Sequence, residues 1–167
     1  MNKKIERNYL EINSLNDLNE ISGSPNEYFL ELVDPENFQL NKFFYKNVGK
    51  KHNWVDRLAW TDKNWTEYTT DNKVKTFIIK KKNDLVGYFE LIFHKEPNEV
   101  EIAYLGLLEE YQNKKIGSFL LYSAIKKAFL EKPNRVWVHT CSLDHKNALN
   151  NYIARGMKIF KKETIFV

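Results

Sequence analysis

The chain has 167 residues, 43% of them hydrophobic and 14% aromatic, and its 26 basic against 22 acidic residues give a net charge of +4. This composition excludes a disordered chain, and no apolar run approaches the roughly 20 residues of a membrane span. A single cysteine, Cys141, excludes an internal disulfide and fits a reducing cytoplasm, and Met1–Leu10 lacks the apolar core of a signal peptide. The length suits one domain over residues 1–167, able to bury roughly two-thirds of the surface its unfolded form exposes. The basic excess suits an anionic ligand. The basic residues gather into no stripe and no nucleic-acid recognition motif is present, so neither a nucleic-acid partner nor a membrane is expected.

Residues 1–12 read as a strand carrying Ile5, Tyr9, Leu10 and Ile12, followed by a turn-rich stretch and a second short strand over 28–33. Asp34-Pro35-Glu36 reads as a helix start with proline in the first turn, leading into Phe38, Leu40, Phe43 and Phe44. Residues 48–68 hold three of the four tryptophans, and Thr61 or Asp62 is placed to cap a helix through Trp65 and Tyr68. Three strands with short turns between them come next, over 74–80, 85–94 and 100–107, and short turns favour an antiparallel meander. A helix over about 115–130 carries apolar Ile116, Leu120, Ala124 and Ala128 at helical spacing. A strand over 135–141, a helix over about 146–155 closed by Gly156 and a last strand over 158–166 complete the chain. The fold class is α/β (α+β): a mixed sheet built from an antiparallel meander followed by β-α-β-α-β.

Between the third meander strand and its helix runs Leu105-Gly-Leu-Leu-Glu-Glu-Tyr-Gln-Asn-Lys-Lys-Ile-Gly-Ser118. No proline falls between Gln112 and Ser118, so every backbone N–H there is free at a helix N-terminus of partial positive charge, an arrangement that cradles phosphates. The segment resembles the acyl-CoA-binding motif of the Gcn5-related N-acetyltransferase (GNAT) superfamily, Gln/Arg-x-x-Gly-x-Gly/Ala. Gln112 and Gly117 match the outer positions, and Lys115 stands where the first glycine is expected. Lys115 either tolerates the glycine's geometry with its side chain turned outward or adds a cation near the phosphates. A second stretch, Arg135 to Met157, resembles the superfamily's closing strand and helix: Ala148, Tyr152 and Gly156 fill their places, Met157 replaces a phenylalanine, and His145 replaces a common asparagine. Trp137-Val-His-Thr-Cys141 together with His52, Trp54, Asp56, Arg57 and Leu58 resembles a bacterial subgroup whose acceptor is not fixed by the match.

The resemblance implies acetyl transfer from acetyl-CoA, as cosubstrate, to an amine. Leu105, Leu107, Gln112, Asn113, Lys114, Lys115, Ile116, Gly117, Ser118 and His145 would hold the cosubstrate, and a backbone N–H near Leu107 would polarise the acetyl carbonyl. An alkylamine with a pKa near about 10.4 is almost wholly protonated at pH 7, so a base is needed. Glu101, on the strand that leads to the loop, is the first candidate and Glu90 on the neighbouring strand the second; either could instead be a paired structural carboxylate. Tyr152 is the expected proton donor to the departing thiolate, by the family's pattern, or else a packing residue.

Either Trp54, Arg57, Trp60 and Trp65 suggest an acceptor pocket with aromatic walls and one cation, suited to a substrate that bears a carboxylate, or the tryptophans simply cover the core edge. His139 either lines the substrate side or is a core histidine, and Asp144 is placed to cap the next helix. His139 and Cys141 share a strand face but supply too few soft ligands for zinc, so no metal is expected. A non-catalytic acyl-CoA-binding domain is the alternative function, and a homodimer is what family habit implies.

Overall fold

The computed structural model describes residues 2–23, 25–112 and 115–167. In chain order its elements are β1 (Lys4–Ile12), β2 (Tyr28–Leu32), α1 (Phe38–Gly49), α2 (Asp62–Thr70), β3 (Val74–Lys81), β4 (Asp84–His94), β5 (Glu99–Leu107), α3 (Ile116–Phe129), β6 (Arg135–Cys141), α4 (Ala148–Ala154) and β7 (Lys158–Phe166). Among the described residues the strands make one seven-stranded mixed sheet in the order β2-β3-β4-β5-β6-β1-β7. β3 to β5 form the expected antiparallel meander, β2 adds to it as an antiparallel edge strand on β3, and β5 and β6 are the parallel pair. The first strand is inserted between β6 and β7, antiparallel to both, so the last strand pairs with the first rather than with β6.

The sheet buries both faces of its meander half. One apolar cluster joins Leu120, Leu121, Ala124 and Ile125 of α3 to Leu10, Phe89, Leu91 and Val136 on the strands. A smaller one joins Phe44 and Val48 of α1 to Ile78 and Tyr88. The α3 stripe expected from its spacing is therefore the core face, with Ile116, Leu120, Ala124 and Ala128 all buried.

Two helix starts depart from expectation. α1 begins after Asn37, whose side chain accepts from the Gln39 N–H at 3.1 Å, so the capping acceptor and not Pro35 sets the boundary. Asp144 does not cap α4: its carboxylate accepts from the Cys141 N–H at 2.9 Å and from the Thr140 hydroxyl, closing the turn that leaves β6, and Asn147 takes the cap position. Thr61 caps α2 as expected, in a reciprocal capping box with Asn64.

Two irregularities in β5 make the site. Ala103 is an extra residue in the β4–β5 ladder, since Glu90 faces Tyr104 while Leu91 faces Ile102. β5 and β6 stay paired only from Glu99/Arg135 to Glu101/Trp137 and then separate, which opens a cleft along the rest of β5.

Candidate active site

The cleft between the parting strands encloses about 840 Å³ and reaches from the N-terminus of α3 to the loop after α1. Along its β5 wall the Leu108 N–H donates to the Val86 carbonyl at 2.8 Å. In an antiparallel ladder alternate residues bond the same neighbour, so the N–H groups of Leu105 and Leu107 point away from β4, toward the side that β6 has vacated. Both residues line the cleft, as the sequence suggested. The Gln112 side chain donates to the Leu107 carbonyl at 3.4 Å and ties the loop to the strand. Asn113 and Lys114 lie outside the described residues.

Lys115 occupies the N-cap of α3 at φ 62° and ψ 13°, the left-handed region that favours glycine. The first two N–H groups of the helix, at Ile116 and Gly117, have no partner inside it. The Ile116 side chain is buried, so only its backbone can serve a ligand. A Cβ added to Gly117 would meet nothing closer than 3.8 Å, so the protein's own structure does not require glycine there; its absence keeps the helix end open to a large anion. Asn151 of α4 holds this corner, donating to the Gly117 carbonyl at 3.2 Å while its Oδ1 accepts from the Ser118 hydroxyl at 3.4 Å. These features fit a pyrophosphate-bearing cosubstrate.

Tyr152 is buried, and its phenol bonds no described residue. Burial, and then the nearby Asp144 carboxylate, hold its pKa well above the ordinary phenol value, so it stays a proton donor. Glu101 lines the same cleft, 18% exposed, and is bonded to His94 Nε2 at 3.0 Å. Glu90 does not line it. Fully buried under α1 and α2, Glu90 accepts from Arg57 at 2.9 Å, Tyr68 at 2.7 Å and Asn41 at 2.7 Å. Its second-choice candidacy as base is corrected: a carboxylate closed off from the cleft by three donors cannot reach an amine.

The cleft is also bounded by Trp54, Asp56, Tyr104, His139 and Cys141. Arg57 lies 7% exposed and holds Glu90, with the rings of Tyr68, Tyr104 and Trp60 at 4.1, 4.3 and 4.7 Å from its guanidinium. Burial opposes its charge, but attraction to Glu90 and the phenols outweighs burial and holds its pKa above the usual value. Arg57 thus lines the cleft, with its guanidinium engaged by Glu90. Trp60 is corrected as well: it meets Trp65 edge-on and covers Arg57 outside the cleft. Trp54 keeps the expected place, edge-on to Tyr104 with ring centres 4.8 Å apart. His139 faces the cleft beside Tyr9, and burial followed by repulsion from Arg7 lowers its pKa. His145 also lines the cleft and accepts from the Asn147 N–H at 3.1 Å through Nδ1.

A family model described as the acetyltransferase (GNAT) family matches residues 27–157. The chain belongs to that family. A search of curated proteins finds no match. Among solved structures, a GCN5-related N-acetyltransferase from Sphaerobacter thermophilus is similar with a TM-score of 0.72 at 13% identity, over 99% of this chain and 51% of that one. An aminoglycoside acetyltransferase from an uncultured soil metagenomic sample gives 0.65 at 15% identity over 78% and 88% of the two chains. Spermidine N-acetyltransferase from Vibrio cholerae, solved with CoA and spermine, gives 0.63 at 14% over 84% and 96%. The chain spans about half the length of the Sphaerobacter relative.

Within this GNAT fold, Lys115 adopts a left-handed backbone conformation of the kind that favours glycine. Sequence reasoning missed His94, the charge of Asp144 acting on Tyr152, and Asn151. Asn151 precedes Tyr152 on α4, and that adjacency is a signal the sequence did offer. His94 carries none, since it meets Glu101 only through the β4–β5 register.

Proposed function

We propose that the protein is an N-acetyltransferase that moves an acetyl group from acetyl-CoA to a positively charged primary amine, on a small molecule or a protein, by direct attack. The observation that carries this reading is one cleft with three working parts: the open N-terminus of α3, the buried Tyr152 phenol and the Glu101 carboxylate. Acetyl-CoA, the family's cosubstrate, would supply the activated thioester. Glu101 accepts a proton from the incoming ammonium, freeing its lone pair to form the new C–N bond. The Leu105 and Leu107 N–H groups face the developing oxyanion, Tyr152 gives its proton to the sulfur as the C–S bond breaks, and the second proton shed by the new amide nitrogen restores the phenol.

Charge supports a cationic acceptor. Arg57 and Arg7, the cations on the acceptor side, are paired with Glu90 and Glu163, at 2.9 and 3.3 Å, while Asp56 and Glu101 face the cleft. Two structural neighbours are named for an aminoglycoside and for spermidine, both polyamines. The test is thiol release from acetyl-CoA with spermidine, kanamycin, tyramine or a lysine peptide as acceptor. Tyr152→Phe and Glu101→Gln should each lower kcat about 10²- to 10⁴-fold, with acetyl-CoA affinity by calorimetry retained. Saturable acetyl-CoA binding without turnover on any of the amines would favour a non-catalytic acyl-CoA-binding domain.

A further inference from the structure

We infer that His94 is the positioning residue of Glu101, presenting one oxygen of that carboxylate to the amine. The inference rests on the reading of Glu101 as the base. An ionised carboxylate only accepts hydrogen bonds, so the 3.0 Å contact requires the proton on His94 Nε2. That bond engages Oε1 and leaves Oε2 unbonded by any described residue. His94 is the last residue of β4 and faces Glu99, which sets it diagonally across from Glu101 on the same sheet face. From the other side, Trp137 of β6 pairs with Glu101, and its indole lies near-parallel to the imidazole, 20° apart in plane with centres at 6.2 Å. The carboxylate is thus flanked from both neighbouring strands. His94 itself does not line the cleft.

Two glutamates on adjacent strands receive opposite partners. Glu90 is bound to an arginine, a permanent cation, and is closed off from the cleft. Glu101 is bound to an imidazole, which donates a hydrogen bond and orients the group without adding a fixed charge. A side chain with three rotatable bonds loses its freedom through that one contact, and misplacement of a reacting group by about 1 Å can cost on the order of 10²-fold in rate.

The experiment compares His94→Ala and His94→Gln, each alone and combined with Glu101→Gln, using acetyl-CoA with spermidine, kanamycin, tyramine or the lysine peptide. His94→Ala should lower kcat about 10- to 100-fold with the KM for acetyl-CoA unchanged. His94→Gln, whose amide N–H can replace the donor, should recover most of the rate. In the Glu101→Gln background His94→Ala should add no further loss. The imidazole 15N spectrum of the unliganded protein should show a single Nε2–H form for His94, and a mixture of both neutral forms after Glu101→Gln. Wild-type kcat in His94→Ala alongside an impaired Glu101→Gln would overturn the positioning role and leave the base intact. Wild-type kcat in Glu101→Gln would overturn the base and the positioning role together. An unchanged 15N spectrum would overturn the bond itself whether or not any amine is acetylated.

Discussion

Replacing Lys115 by glycine should stabilise the protein, although it restores flexibility to a loop. A non-glycine residue at φ 62° and ψ 13° carries about 1–2 kcal/mol of steric cost from its Cβ. Glycine removes that cost but loses about 0.5–1 kcal/mol more chain entropy on folding, so the net gain is about 0.5–1 kcal/mol. For a chain of this size each kcal/mol moves Tm by about 2–4 °C, and Lys115→Gly should melt about 1–4 °C higher. Lys115→Ala keeps the Cβ and should lie near the wild type, with Lys115→Asn between them because asparagine tolerates the left-handed region. The exposed ammonium makes a second, opposite contribution. If it attracts the phosphates with about 0.3–1 kcal/mol, as exposed ion pairs do, Lys115→Ala should weaken acetyl-CoA binding roughly 2- to 5-fold, and the loss should shrink in high salt. Thermal melts and calorimetry at two ionic strengths read both effects. Equal Tm values for the glycine and alanine variants would refute the backbone reasoning, and a salt-independent loss of affinity would refute the electrostatic one.

Glu90→Ala should destabilise by about 3–5 kcal/mol, since it leaves the buried Arg57 guanidinium uncompensated; denaturant unfolding reads the loss, and acetyl-CoA affinity measured below the transition should change little. Gly156→Ala combines a residue at φ 106° with a Cβ 2.1 Å from the Asp17 carbonyl, so a cost of about 2–4 kcal/mol is expected by the same unfolding assay. His139 and His145 both titrate below the ordinary histidine value, through burial first and then through Arg7 for one and His52 for the other. The unfolded chain therefore binds protons more readily than the folded one, and stability present above about pH 6.5 is lost as pH falls. Melts from pH 7.5 to 5 should show a decline that a His139→Gln/His145→Asn variant flattens.

The parts of the fold legible in the sequence are those set by local periodicity and local caps. The α3 stripe, the Thr61 cap and the three meander strands all depend on residues within a few positions of one another, and all are where expected. What failed depends on which tertiary partner a side chain meets. Arg57 and Trp60 sit in a segment whose composition suits a pocket wall, yet Glu90, about thirty residues on, draws the guanidinium into the core and the tryptophan covers it. Glu90 and Glu101 look alike as carboxylates embedded in apolar strands. The difference between them is that α1 and α2 cover one and stop short of the other, and strand periodicity carries no record of where a helix lies above a sheet. Asp144 had two uses within reach, the next helix or the strand it follows, and the turn's own donors at Thr140 and Cys141 claimed it.

The family match runs from residue 27 to 157 and contains β5, α3 and α4, all of which contribute to the cleft wall. β1 and β7 lie outside it, and the structure pairs them with each other and pairs β1 with β6. Through this insertion the chain's first and last strands bring Ile5, Arg7, Ile165 and Val167 to the cleft wall and set Glu163 against Arg7 and Tyr9. The side chains that set the charge around His139 and Cys141 thus come partly from strands about 150 residues apart in sequence, brought together only by the sheet order. Acceptor choice in this chain is accordingly expected to respond to Arg7 and Glu163, whereas acetyl-CoA affinity should not. Reversing the pair with Arg7→Glu and Glu163→Arg should change the ranking of amine acceptors while leaving acetyl-CoA binding unchanged. An unaltered ranking would return acceptor choice to the segment from Trp54 to Arg57.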